Sequence, residues 1–193
     1  MKLSPVSLAI VLAGSALAAQ AAPVTYAIDP MHTYPSFEAD HMGGVSVWRG
    51  KFDKSSGTVT MDREAGTGTV DIKIDPNSID YGLAAMNKAA KSDELLDTKK
   101  YPKAAYTGKL DGFVNGAPTK VVGTLELHGV TKPVTLDIRK FKCIPHPMLK
   151  REMCGADAYA TINREDFGMA AGKDYGFDMK VDLRIQVEAV ATK

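Results

Sequence analysis

Between Val121 and Arg139 the chain alternates twice. Val121, Leu125 and Leu127 hold one parity and Thr124, Glu126 and His128 the other; further on, Val134, Leu136 and Ile138 alternate with Thr135, Asp137 and Arg139. Successive side chains on a strand point to opposite faces, so each half predicts a strand with one apolar and one solvated face. Gly129 to Pro133 supplies the turn of a hairpin, a glycine free to take positive φ and a proline that fixes φ and donates nothing. The same rhythm predicts strands at Val24-Tyr26-Ile28, at Phe37 and Ala39, and in a less regular run from Val45 to Phe52. It continues at Val59 and Met61, then at Val70, Ile72 and Ile74, a second hairpin closed by Asp75-Pro76-Asn77. Tyr106, Gly108 and Leu110 resume it, as do Ala158, Ala160 and Ile162. The cleanest case is last, with Phe177, Met179, Val181, Leu183, Ile185, Val187 and Ala189 set against Asp178, Lys180, Asp182, Arg184, Gln186 and Glu188.

One interval breaks the rhythm. From Ile79 to Tyr101, Leu83, Met86, Ala90 and Leu95 fall near helical spacing among good helix formers, predicting one short helix or a pair of turns. Eight or more strands, each wet on one face, with little helix and no βαβ alternation, predict an all-β antiparallel barrel rather than a sandwich. Neither a repeat nor an inter-domain linker is visible.

Composition adds the compartment. Lys2 precedes an apolar run from Val6 to Leu17, and Ala19-Gln20-Ala21 has the small-x-small form of a processing site. This predicts a secretory signal peptide over residues 1–21, cleaved after Ala21, and one exported domain over 22–193. The rival reading, a membrane anchor, needs roughly 20 apolar residues. Lys2 is one of 24 basic residues against 23 acidic ones, so the processed chain is formally neutral, with no nucleic-acid footprint and no polybasic membrane patch in its overall balance.

The two cysteines, Cys143 and Cys154, have two readings. In an oxidising compartment they form a disulfide across the intervening loop. Alternatively both sulfurs and His146 hold a metal, although a fourth ligand and zinc-type spacing are missing.

Familiar catalytic motifs are absent: no G-x-S-x-G, P-loop, G-x-G-x-x-G after a strand, H-E-x-x-H or C-x-x-C. Asp166-Phe167-Gly168 spells the kinase metal triplet without its companion loops, which leaves a coincidence of letters or a turn with local structural work. His32, His41 and His128 could converge on a metal or serve separately as turn and rim residues. The remaining candidate is the interior. A barrel of about eight strands either fills with side chains or holds one small ligand. Small inward positions, Gly108, Gly123, Ala158 and Ala160, could leave a lengthwise void among larger apolar residues.

Asp29-Pro30-Met31-His32-Thr33 with Phe37, His41 and Arg49-Gly50-Lys51-Phe52 resembles the opening of the YceI-like family of periplasmic polyisoprenoid-binding proteins. Asn77-Ser78-Ile79-Asp80, Lys100-Tyr101-Pro102, the run from Gly123 to Val134, and Ile162-Asn163-Arg164-Glu165-Asp166-Phe167-Gly168 are similar to its later motifs, in order. The resemblance implies a lipocalin-like barrel holding a polyprenyl chain or isoprenoid quinone, with no catalysis and no cofactor beyond such a lipid. On this reading Phe37, Trp48, Phe52, Tyr106, Leu125, Leu127, Leu136, Phe167, Phe177, Met179, Val181 and Leu183 face the tunnel. Met86 and Leu95, with Leu83 and Leu96, turn toward it from a lid over residues 82–97. Expected partners are an isoprenoid-type lipid and transient contacts with a membrane or membrane redox proteins, for a monomer or homodimer. Two features depart from the family pattern. A charged run with Arg, Asp and His is replaced here by Met86, Asn87 and Ala89, and the cysteine-bounded loop looks like an addition. Other classes stay open: a filled barrel that docks on an envelope or membrane redox complex, and a histidine-based metal enzyme.

Overall fold

A computed structural model describes residues 22–193; the leader reading and the cleavage at Ala21 lie outside the described residues. Eleven strands and one α-helix follow the chain in the order β1 (Val24–Ile28), β2 (Tyr34–His41), β3 (Ser46–Phe52), β4 (Ser55–Asp62), β5 (Thr67–Ile74), β6 (Ile79–Asp80), α1 (Ala84–Ala90), β7 (Ala104–Asp111), β8 (Lys120–Leu127), β9 (Val130–Pro145), β10 (Glu152–Asn163) and β11 (Lys180–Ala191). The antiparallel ladder runs β1-β4-β5-β7-β8-β9-β10-β11, and β11 pairs back onto β1, closing an eight-stranded barrel; β2, β3 and β6 continue the sheet beside β11. Closure pairs the two outer strands of the eight-stranded ladder with each other, and the sheet's remaining edge lies on the β2-β3-β6 extension.

The seam is at β11. Its first half, Val181 to Gln186, pairs with β2, and its last residues, Ala189 to Ala191, pair with β1. At the changeover the buried Thr33 substitutes for a strand: its hydroxyl donates to the Glu188 carbonyl (3.0 Å) and accepts from the Glu188 amide (3.1 Å). The Asp29-Pro30-Met31-His32-Thr33 motif is thus the corner where the chain passes from β1 to β2. The Asp29 carboxylate accepts from the Met31 amide (2.9 Å) and bonds His32 Nδ1 (2.7 Å).

The β8–β9 hairpin is tighter than the sequence predicts. Its turn is His128-Gly129 alone, with φ of 53° and 73°, and Thr131 to Pro133 belong to β9. Leu127 and Val130 close the hairpin, and hydrogen-bonded and non-bonded pairs alternate from there, so Pro133 falls opposite Thr124 in a non-bonded pair. Its missing N–H points away from β8, where β10 does not reach, since the β9–β10 register ends at Asp137. A proline costs nothing in such a place.

Other expectations also shift. Asp75-Pro76-Asn77 does not close the β4–β5 hairpin: Asp75 caps a 3-10 turn over Pro76–Ser78 that leads into β6, so Ile79 and Asp80 are strand rather than helix. The helix is short, ending at Lys91. Phe177 and Met179 precede β11 in the loop from Gly168, rather than opening the strand. In β9 the pairing slips at Asp157/Ala158, so Arg139 is an extra residue and inward parity passes from Val134, Leu136 and Ile138 to Phe141 and Cys143.

Gly108 and Gly123 pair across β7 and β8 but leave no void. A Cβ on Gly123 would stand 2.8 Å from the Tyr106 ring, and one on Gly108 would meet Val121 at 2.9 Å. Gly123 makes room for Tyr106, whose hydroxyl reaches the backbone carbonyls of Val134 (2.8 Å) and Val121 (3.1 Å).

Candidate functional site

The interior of the barrel is hollow in two places. An inner chamber of about 190 Å³ is walled by Tyr26, Tyr106, Leu125, Leu136, Ala158, Ile185 and neighbouring apolar side chains. An outer chamber of about 310 Å³ lies under α1, between Trp48, Tyr81, Met86, Leu95, Phe177 and Val181. Phe37, Phe52, Leu127, Ile162 and Leu183 line both, so the chambers meet at a waist, where the Phe37 and Phe52 rings lie 5.8 Å apart. Strand alternation delivers this wall directly: every one of the waist residues except Phe52, half-buried at the end of β3, is an inward position of a half-wet strand.

Of the tunnel and lid residues predicted from sequence, Tyr106, Leu125 and Leu136 line the inner chamber, and Trp48, Met86, Leu95, Phe177 and Val181 the outer one. Phe37, Phe52, Leu127 and Leu183 face both. Phe167 and Met179 line neither, being packed into the core beneath the mouth. Leu83 does not turn inward: it caps α1 in an extended conformation, which puts it off the helix's inner face and leaves it 57% exposed.

The mouth is built by motif residues doing structural work. Asn163 Oδ1 accepts from the Glu165 amide (3.0 Å) and starts a 3-10 turn over Arg164–Phe167 that Gly168 ends at φ 81°. Phe167 is buried, and its carbonyl accepts from His128 Nδ1 (2.8 Å). Arg164 reaches from this turn into the outer chamber, donating to the carbonyls of Met169 (2.8 Å) and Ala171; burial lowers its affinity for its proton. On the opposite rim the Asp40 carboxylate accepts from the amides of Gly43 (2.9 Å), Gly44 (2.6 Å) and Asp178 (2.9 Å). The Asp178 amide above all holds it below the usual carboxylate range. Asn87 fixes α1 by accepting from the Tyr81 amide (2.7 Å) and donating to Asp80 (2.9 Å). Asn87 is therefore a clasp between α1 and the end of β6.

No charged residue lines the inner chamber, and the two that line the outer one, Asp40 and Arg164, are held by backbone groups. Burial pushes the Tyr81 and Tyr106 phenols up to about 12, so both are neutral at ordinary pH. Tyr26, at the inner end, is raised further by burial and donates to the Glu152 carboxylate. Asp40 and Arg164 spend their charges on backbone groups. What the surface offers is apolar contact, closed at the rim by aromatic rings: His41 stacks on Trp48 at 4.7 Å and meets Phe177 edge-on at 5.2 Å.

The histidines do not converge. His32 sits with Asp29 and Glu188 at the β1–β2 corner, His41 at the mouth, and His128 between the Phe167 carbonyl and the Tyr101 ring. Cys143 and Cys154 are joined as a disulfide between directly paired residues of β9 and β10, so neither is a thiolate free for a metal. Arg164, Tyr81, His41 and Met169 escaped the tunnel reading. Arg164 and Met169 sit in turns, where alternation gives no face, and Tyr81 and His41 at strand ends.

A closed antiparallel barrel around a continuous apolar interior belongs with the barrels that enclose one small apolar ligand. Residues 26–189 match the model of the YceI-like domain, and the chain belongs to that family. Protein YceI of Escherichia coli O157:H7 is 34% identical over 185 residues, covering 94% of this chain and 92% of that one. Among solved structures, BcnA of Burkholderia cenocepacia superposes with a TM-score of 0.66 at 22% identity, covering 84% of this chain and 99% of that one. A polyisoprenoid-binding domain from Saccharophagus degradans, described as implicated in plant cell wall breakdown, gives a TM-score of 0.64 at 22% identity over 87% of this chain and 99% of that one.

Proposed function

We propose that the protein is a periplasmic carrier of an isoprenoid-type lipid and not an enzyme. Cleavage after Ala21 would release residues 22–193 as one lipid-binding domain. The observation that carries the reading is the pair of apolar chambers joined at the Phe37–Phe52 waist. A branched hydrocarbon chain fits a passage whose walls are chiefly apolar, each buried methylene contributing about 0.8 kcal/mol before ordering costs. The polyisoprenoid binding of the Saccharophagus domain supports the same ligand class. Segment 82–97 acts as a lid: α1 and Leu95 and Leu96 cover the outer chamber, and no sheet ladder beyond β6 holds them.

Trp48, the one tryptophan, lines the outer chamber and reports on it. Titrating the delipidated protein with a prenyl quinone should quench its fluorescence saturably, whereas a short hydrophilic quinone of equal absorbance should not. Equal quenching by both would remove the carrier reading in favour of a filled barrel that docks elsewhere.

A further inference from the structure

The β9–β10 hairpin ends in a feature that the interior does not use. Past Ile138, β9 loses its partner on the β8 side and pairs with β10 alone. The turn at residues 146–151 is ordered by His146, whose Nδ1 accepts from the amides of Met148 and Leu149 (3.2 Å each) and whose own amide donates to the Arg151 carbonyl (2.7 Å). Neighbouring apolar side chains are thereby turned outward: Met148 is 81% exposed and Leu149 48%, with Ile144 exposed below them. From residue 139 to 151 there are five cations and no acidic residue. Lys140 lies 3.9 Å from Asp157 and Arg139 stacks on the Tyr159 ring, but among the described residues no carboxylate pairs with Lys142 or Lys150. The near balance of 24 basic and 23 acidic residues over the whole chain hides this local excess.

We propose that this tip is a membrane anchor that seats the barrel on a bilayer bearing anionic headgroups. Met148 and Leu149 enter the headgroup boundary, and Lys142, Lys150 and Arg151 face the phosphates. A bilayer fits better than a protein: one turn cannot supply the roughly 800 Å² per partner of a stable protein interface, whereas insertion of a few apolar side chains to about 5–10 Å needs no such area. The disulfide joins the strands just below the turn, and Phe141, Cys154 and Gly155 at its base are wall of the inner chamber, so a seated tip brings that end of the barrel against the membrane. Anchoring does not require the interior to hold lipid, so it stands or falls separately from the carrier reading.

The test is co-sedimentation of the oxidised protein with vesicles of phosphatidylcholine alone and of phosphatidylcholine mixed with phosphatidylglycerol. Binding to the mixed vesicles is expected, falling as salt rises. Lys142→Gln and Lys150→Gln should each reduce partitioning about fivefold, the equivalent of about 1 kcal/mol per charge. Met148→Asp should abolish it, with melting temperature and Trp48 quenching by prenyl quinone unchanged. Equal binding to both vesicle types, undiminished binding by Met148→Asp, or binding to neither vesicle while an acidic protein is retained would each overturn the anchor.

Discussion

Thr33 carries the barrel's seam on a single hydroxyl. Replacing it by valine keeps the shape and leaves the Glu188 amide without its acceptor, while the Glu188 carbonyl keeps the Asp29 amide (2.9 Å), so Thr33→Val should cost about 1–2 kcal/mol in denaturant unfolding. An unchanged midpoint would show that water replaces the hydroxyl. Beside it, the hydrogen bond to Asp29 raises the His32 pKa above 6.5 and lowers that of Asp29 below 3.8. The histidine's contribution is full below 6.5 and disappears as pH rises through its folded value; the aspartate's is present above 3.8 and disappears as pH falls through its own. Proton NMR of His32 should give a value above 6.5 that drops toward 6.5 in Asp29→Asn; no difference between the two would dissolve the pair. Such residues announce themselves in the sequence as a motif, but their task does not: that Thr33 patches a seam depends on β1 and β2 sharing β11, a pairing more than 140 residues distant.

Half-wet strands are legible because alternation survives any tertiary arrangement, and so the inward faces of β8, β10 and β11 could be read from the chain alone. Turn limits were less legible. Pro133 looks like a breaker until its neighbour on the other side is known to be absent, and the bulge at Arg139 inverts parity where the alternation still looks regular. The helical segment was legible as an interruption, but not its cap, which turned Leu83 outward. Met86, on the inner face of α1, and Leu183, at the waist, separate the roles of lid and wall. Met86→Asp should weaken prenyl-lipid binding by about 1–3 kcal/mol with little loss of stability, since the charge meets the ligand rather than the fold. Leu183→Asp should unfold the protein or nearly so, because it sets an unpaired charge between β2 and β10 facing both chambers. Equal ligand affinity of folded wild type and Met86→Asp would remove the lid from the account.

At the scale of the molecule, the barrel joins a two-chambered interior with chiefly apolar walls to a rim of aromatic rings and a mouth whose charges are engaged by backbone groups. The class of ligand follows from what the walls lack as much as from what they present. Its identity was not legible from alternation, which says which side chains face inward but not how far apart they stand. The most direct measurement is mass spectrometry of an organic extract of the protein purified from the envelope of its own host. The account predicts a prenyl-chain lipid released in near-equimolar amount, and lost from the Met86→Asp protein. Repeated extracts with no such lipid, from protein that also takes up none in titration, would contradict it.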